Sequence, residues 1–170
     1  MTIKSFKCFT VFILIMLNMN VAVAKEQPFA NIRILSATLA MQVAQVAAST
    51  CKNKGYQVAV AVVDRYGNLL AFSRDPLAGA HTITIAQYKA YTAATFQGAT
   101  IDLANQLQFL KGTPKLSLVG GGVPVKLAGF MYGAVGVSGA PREKIAGDVD
   151  HACAIAGIDA VREEIEFAAE

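Results

Sequence analysis

The sequence predicts an α+β domain, an antiparallel sheet with helices packed on it. Three observations carry the prediction. Helical periodicity opens and closes the chain once its first two dozen residues are set aside. Two apolar runs near the middle are separated by a short turn. Two more follow further on, and turns this short join antiparallel neighbours.

The first 24 residues have a different character. Lys4 and Lys7 form a short positive start, and residues 8–19 are an almost uninterrupted apolar run. Ala22 and Ala24 then place small residues where a signal peptidase reads. This is the pattern of a cleaved secretory signal, with an apolar run shorter than the ~20 residues a membrane-spanning helix needs. The expected mature chain, residues 25–170, is a single domain with no membrane attachment, periplasmic or secreted. The whole chain has 170 residues and a net charge of +3. Without Lys4 and Lys7, 13 basic residues face 12 acidic ones, so no basic stripe points to nucleic acid. Cys51 and Cys153 remain, each inside an apolar helical pattern. Two buried thiols are the simpler reading, and a bridge in an oxidising compartment is the other.

Within the domain, residues 29–53 carry apolar side chains at Ile32, Leu35, Leu39, Val43, Val46 and Ala47, the spacing of an amphipathic helix. Lys52, Lys54 and Gly55 suit its end. Residues 57–63 are apolar on both alternating faces, as in a strand covered on two sides or a central strand with one face under helices and the other under a partner subunit. Residues 64–68 form a turn, and residues 69–73 return as the second strand of a hairpin. After a loop at residues 74–80, Thr82 or Thr84 is placed to cap a helix running to about Phe96, rich in alanine on one side. A short helical piece follows at residues 101–106. Residues 116–125 contain Gly120-Gly121-Gly122 and Pro124 and read as a loop or a close approach of backbone. Two strands are joined around Ala128-Gly129, the second over residues 130–137. The last helix begins between Glu143 and Asp148 and runs towards Glu166.

Several stretches resemble the GlcG/HbpS-like family, in order along essentially the whole mature chain. They are Val60-Ala61-Val62-Val63-Asp64 with Gly67, Lys89-Ala90-Tyr91-Thr92-Ala93, Gly120-Gly121-Gly122-Val123-Pro124, Gly133-Ala134-Val135-Gly136-Val137-Ser138-Gly139, and Asp150-His151-Ala152-Cys153-Ala154 with Ala156-Gly157-Ile158. The resemblance implies a profilin-like fold, with a five-stranded antiparallel sheet and helices on both faces. It also implies a homo-oligomer and binding of haem or another tetrapyrrole. Such a family defines a fold more closely than an activity.

Candidate chemistry falls on few residues. His81 and His151 are the only histidines. A haem iron takes histidine as its commonest axial donor, and His81, in a Gly/Ala loop before a helix, is the better placed. The plainer reading of each is a surface histidine. Tyr132, Met131 and Cys153 could also ligate but suit a core. Haem would sit against apolar walls from residues 130–137, including Phe130 and Tyr132, with Gly121 and Gly122 offering N–H groups to a carboxylate. Metal-ligand spacings such as Cys-x-x-Cys are absent from the sequence, so no structural metal is expected. Lys89 on the alanine-rich helix is a candidate base or Schiff-base former, against the simpler role of reaching solvent or gripping an anion. Asp64 is a candidate acid, against the commoner role of accepting N–H bonds in its turn. Ser138 lies in no nucleophile motif. Three function classes follow: an exported homo-oligomeric binder of haem or another small molecule, a small-molecule enzyme (lyase, isomerase or haem degrader), and a structural oligomer without ligand.

Overall fold

The computed structural model describes residues 28–168. The expected export signal at residues 1–24 lies outside them. All regular elements among the described residues fall in the compact unit that begins at Arg33. In chain order they are α1 (Ala37–Asn53), β1 (Ala59–Asp64), β2 (Leu69–Arg74), α2 (His81–Phe96), α3 (Thr100–Gln106), a 3-10 turn (Gln108–Leu110), β3 (Gly122–Leu127), β4 (Phe130–Ser138), α4 (Asp148–Asp159) and α5 (Arg162–Phe167).

The strands form one antiparallel sheet in the order β2-β1-β4-β3. It has four strands among the described residues, not the five that the resemblance implied. The segment just before β3 makes turn contacts in place of a ladder. The Ser117 N–H donates to Thr92 Oγ1 at 2.9 Å, and the Gly120 N–H donates to the Ala146 carbonyl at 3.2 Å.

Strand β1 is buried at every position. Val58, just before it, and Val60 and Val62 within it face one core. There they meet Val43, Ala44 and Ala47 of α1 and Cys153 and Ala154 of α4. Ala59, Ala61 and Val63 face the other core, against Ala86, Ala90, Ala93 and Ala94 of α2. The two-sided apolar pattern thus reflects helices of the same chain on both faces. Each valine so buried contributes roughly 1.5–3 kcal/mol. The alanine-rich core is thin, and Gly136 of β4 makes it thinner. A methyl group there would collide with the Ala86 carbonyl and sit 3.0 Å from the Ala90 Cβ. Gly157 plays the same part on the opposite side, where a Cβ would lie 2.6 Å from the Val43 carbonyl oxygen.

Helix α1 starts at Ala37, eight residues later than the periodicity predicted. Ser36 stops it, with extended backbone and an Oγ that accepts the Leu39 N–H at 3.2 Å. Helix α2 begins at His81 without a side-chain cap. Thr82 therefore lies within its first turn, and its hydroxyl donates back to the Gly79 carbonyl at 2.6 Å. The expected final helix is two helices, α4 and α5, with a break at residues 160–161.

Cys51 and Cys153 form a disulfide that ties the end of α1 to the middle of α4, with Cα atoms 5.7 Å apart across 102 residues of sequence. The reading as two separate thiols is corrected by this geometry, since packing α1 against α4 brings the two Cβ atoms face to face. Reducing the bridge, or replacing both cysteines by alanine, is expected to lower unfolding stability by ~2–4 kcal/mol. Urea unfolding with and without reductant checks this. A wild-type midpoint unmoved by reductant would remove the bridge from the account of stability.

Candidate functional site

A cleft of about 420 Å³ opens beside the end of β4, where the chain leaves Ser138 for Gly139 and Ala140. Helix α2 forms one wall with His81, Ile85, Tyr88 and Lys89. Leu116, Ser117 and Val119 form a second, and Gly147 and Asp150 at the start of α4 close the third side. The volume lies within the ~300–1,000 Å³ of ordinary small-molecule sites. His81 is exposed at the mouth, while Lys89 and Asp150 are only 2% and 3% exposed and form the floor.

The floor is an ion pair. Lys89 Nζ donates to Asp150 Oδ2 at 2.7 Å and to the Val137 carbonyl at 2.9 Å. Asp150 Oδ1 accepts the Ala140 N–H at 3.0 Å. The expected lysine that reaches solvent is thus corrected: Lys89 is folded inward, and the anion it grips is the Asp150 carboxylate of its own chain. The room for it comes from Gly121, at φ +114°, where a Cβ would lie 3.0 Å from Nζ and 2.8 Å from the Asp150 Cβ. Burial pushes the Lys89 amine below its ordinary pKa, with the Asp150 charge opposing. Burial likewise pushes the Asp150 carboxyl up, against the Lys89 charge. Both shifts favour moving the shared proton from nitrogen to oxygen.

The remaining candidates lie elsewhere. Asp64 pairs with Gly133, at the opposite end of β1 from the Ala59–Ser138 pair beside the cleft. Its Oδ1 accepts the Tyr66 and Asn68 N–H groups at 2.8 and 2.9 Å, and Oδ2 accepts the Asn68 side-chain amide at 2.9 Å. Burial pushes that carboxyl up, but these bonds outweigh it and hold it below the ordinary value. This is a turn residue. Tyr132 is buried in the α1–α4 core, and Phe130 stands at the far end of β4 beneath the Arg33 guanidinium, 3.9 Å from its ring centroid. Strand β4 is an inner strand with helices on both faces, so residues 130–137 do not wall the cleft, and only Ser138 reaches it.

Gly121 and Gly122 do not line the cleft either. The Gly122 N–H donates to Thr100 Oγ1 at 2.8 Å, and the Gly121 carbonyl accepts the Val137 N–H at 2.9 Å. Met131 packs against the α2 side of the sheet, and Cys153 is held in the disulfide. His151 sits on α4 with a buried Nδ1 that lacks a hydrogen-bond partner. Burial pushes its pKa down, with Asp102 opposing. Among the described residues no group of three or more His, Cys, Asp or Glu side chains could hold a metal ion, and no helix is long and apolar enough to cross a membrane.

Asp150 is the acidic cleft residue that the sequence candidates left out. Its signal was present: an acid between Val149 and Cys153, on the side of α4 that buries, as Lys89 is a base on the buried side of α2. Removing one member leaves the other charged and buried. Asp150→Ala or Lys89→Met alone is expected to cost ~3–5 kcal/mol, and the double variant Lys89→Met/Asp150→Leu distinctly less than the two singles combined. Chemical denaturation of the three variants tests the coupling, and strictly additive costs would contradict it.

Comparison with known proteins agrees with this architecture. The family model described as haem degrading protein HbpS-like matches residues 35–159. Protein GlcG of Escherichia coli K12 is 34% identical over 109 residues, 62% of this chain and 81% of that protein. Among solved structures, HbpS of Streptomyces reticuli, a double mutant, superposes with a TM-score of 0.72 at 33% identity, covering 82% of this chain and 95% of that one. A complex of PduOC with haem superposes with a TM-score of 0.67 at 27% identity, covering 75% and 94%. With its antiparallel sheet between helices and motifs matched along nearly the whole described domain, the chain belongs to the GlcG/HbpS-like family.

Proposed function

We propose that this protein is an exported, homo-oligomeric binder of haem or a related small molecule, with the ligand held in the cleft at the end of β4. The observation that carries the reading is His81, an exposed imidazole at the mouth of a cleft whose walls include Ile85, Tyr88, Leu116 and Val119. An imidazole beside apolar and aromatic walls is the donor set that suits haem iron and its ring. A neighbouring groove of about 270 Å³ shares Tyr88 and adds Tyr66, Tyr91 and Lys115. Lys115 is a charge complement for a propionate there. Family membership and the PduOC–haem relative add support.

Export is supported by the pattern of residues 1–24 and by the disulfide, since such bridges persist in oxidising compartments. For the oligomer, Leu77, Phe109 and Phe167 are about four-fifths exposed and offer apolar surface to a second copy. A second reading, an enzyme acting on a small molecule, is favoured by one observation: the buried Lys89–Asp150 pair lines the same cleft.

Haem titration of the mature protein, followed by absorbance, tests the first reading. A saturable Soret shift of about one haem per chain, lost in His81→Ala, is the expected result. No shift in the wild type overturns it and leaves an enzyme or a ligand-free oligomer.

A further inference from the structure

We propose that the Lys89–Asp150 pair is an imine-forming site for a small aldehyde or α-oxo acid. The inference rests on the cleft being a ligand site, but not on haem being its occupant. Both members of this pair border the cleft although only 2% and 3% exposed, so a carbonyl compound bound there meets them at its floor. Two of the three hydrogen-bonding directions of Lys89 Nζ are taken by Asp150 Oδ2 and the Val137 carbonyl. No third acceptor among the described residues engages it. Asp150 is aimed by its own bond from the Ala140 N–H, which turns Oδ2 onto the amine.

The chemistry needs nothing beyond the pair and the carbonyl compound. Asp150 Oδ2 takes a proton from the Lys89 ammonium, and the freed nitrogen lone pair forms a C–N bond to the carbonyl carbon as the C=O π bond breaks. Asp150 returns that proton to the new alkoxide and takes another from the nitrogen, leaving a neutral carbinolamine. It then delivers this second proton to the hydroxyl, which departs as water while the C=N bond forms. One ammonium and one carbonyl become one iminium and one water. The iminium keeps its positive charge beside Asp150, so the ion pair survives the reaction. Burial, which lowers the amine's pKa, assists the first step.

The test is reductive trapping of the intact wild-type protein with cyanoborohydride, which spares the disulfide. Pyruvate, which carries a carboxylate, and acetaldehyde, which does not, serve as separate probes, and peptide mapping locates the adducts. The expected result is labelling of Lys89 ahead of exposed lysines such as Lys111, Lys115 and Lys144. The favoured arm identifies the class of carbonyl compound. Asp150→Asn is expected to slow Lys89 labelling by about 10²-fold or more. A merely structural pair predicts the reverse order, with Lys89 the most protected lysine in both arms, and that outcome overturns the proposal. If Lys89 stays protected while haem binds saturably, the imine site alone is lost. If Lys89 labels and haem does not bind, the proposal stands with a different occupant for the cleft.

Discussion

A lysine and an aspartate, 61 residues apart in sequence, meet where the sheet ends, and much of the molecule is arranged around that meeting. Lys89 comes from the helix on one face of the sheet and Asp150 from a helix on the other. Their contact, with the Val137 carbonyl and the Ala140 N–H, staples both layers to the last turn of the inner strand β4. Two ions so little exposed tolerate only small errors in position, because an unmatched charge in that environment is strongly unfavourable. Glycine at position 121 and the alanine-lined approach of α2 are therefore demanded by the pair as much as by packing.

The parts of this arrangement that depend on local pattern were legible in the sequence. The hairpin over β1 and β2 announced itself through Asp64 and Gly67, and the turn at Ala128-Gly129 joins β3 to β4 where the glycine suggested. The apolar faces of β1 foretold cover on both sides, though not that the cover is this chain's own α1 and α2. Features that depend on distance were not legible. Nothing near Cys51 points to Cys153, and nothing near Lys89 points to Asp150. The helix start at Ser36 was missed because the apolar spacing continues past the point where a hydroxyl cap ends the helix.

The candidate site divides in the same way. His81 was singled out from its loop context, and it does border the cleft. Phe130 and Tyr132 were grouped with it because they are aromatic residues in a glycine-punctuated strand. Strand geometry separates them: at about 3.3 Å per residue, the eight steps from Phe130 to Ser138 run the full length of β4 and put Phe130 at the opposite end of the sheet. The apolar wall comes instead from Ile85, Tyr88 and the loop at residues 116–119, a loop whose long-range contacts run through single polar atoms such as Thr92 Oγ1.

The disulfide carries a topological consequence. Between Cys51 and Cys153 lie all four strands, α2 and α3, so the bridge closes the entire sheet into one covalent ring. Residues 111–115 form one exposed stretch of that ring, between the two hairpins. A protease that cuts it opens the ring into a line but separates nothing, because both pieces stay joined through sulfur. The β1–β2 half and the β3–β4 half would lose their last covalent link only in a second, chemically different event, the reduction of that one bond, and the β1–β4 ladder would then be left to hold them.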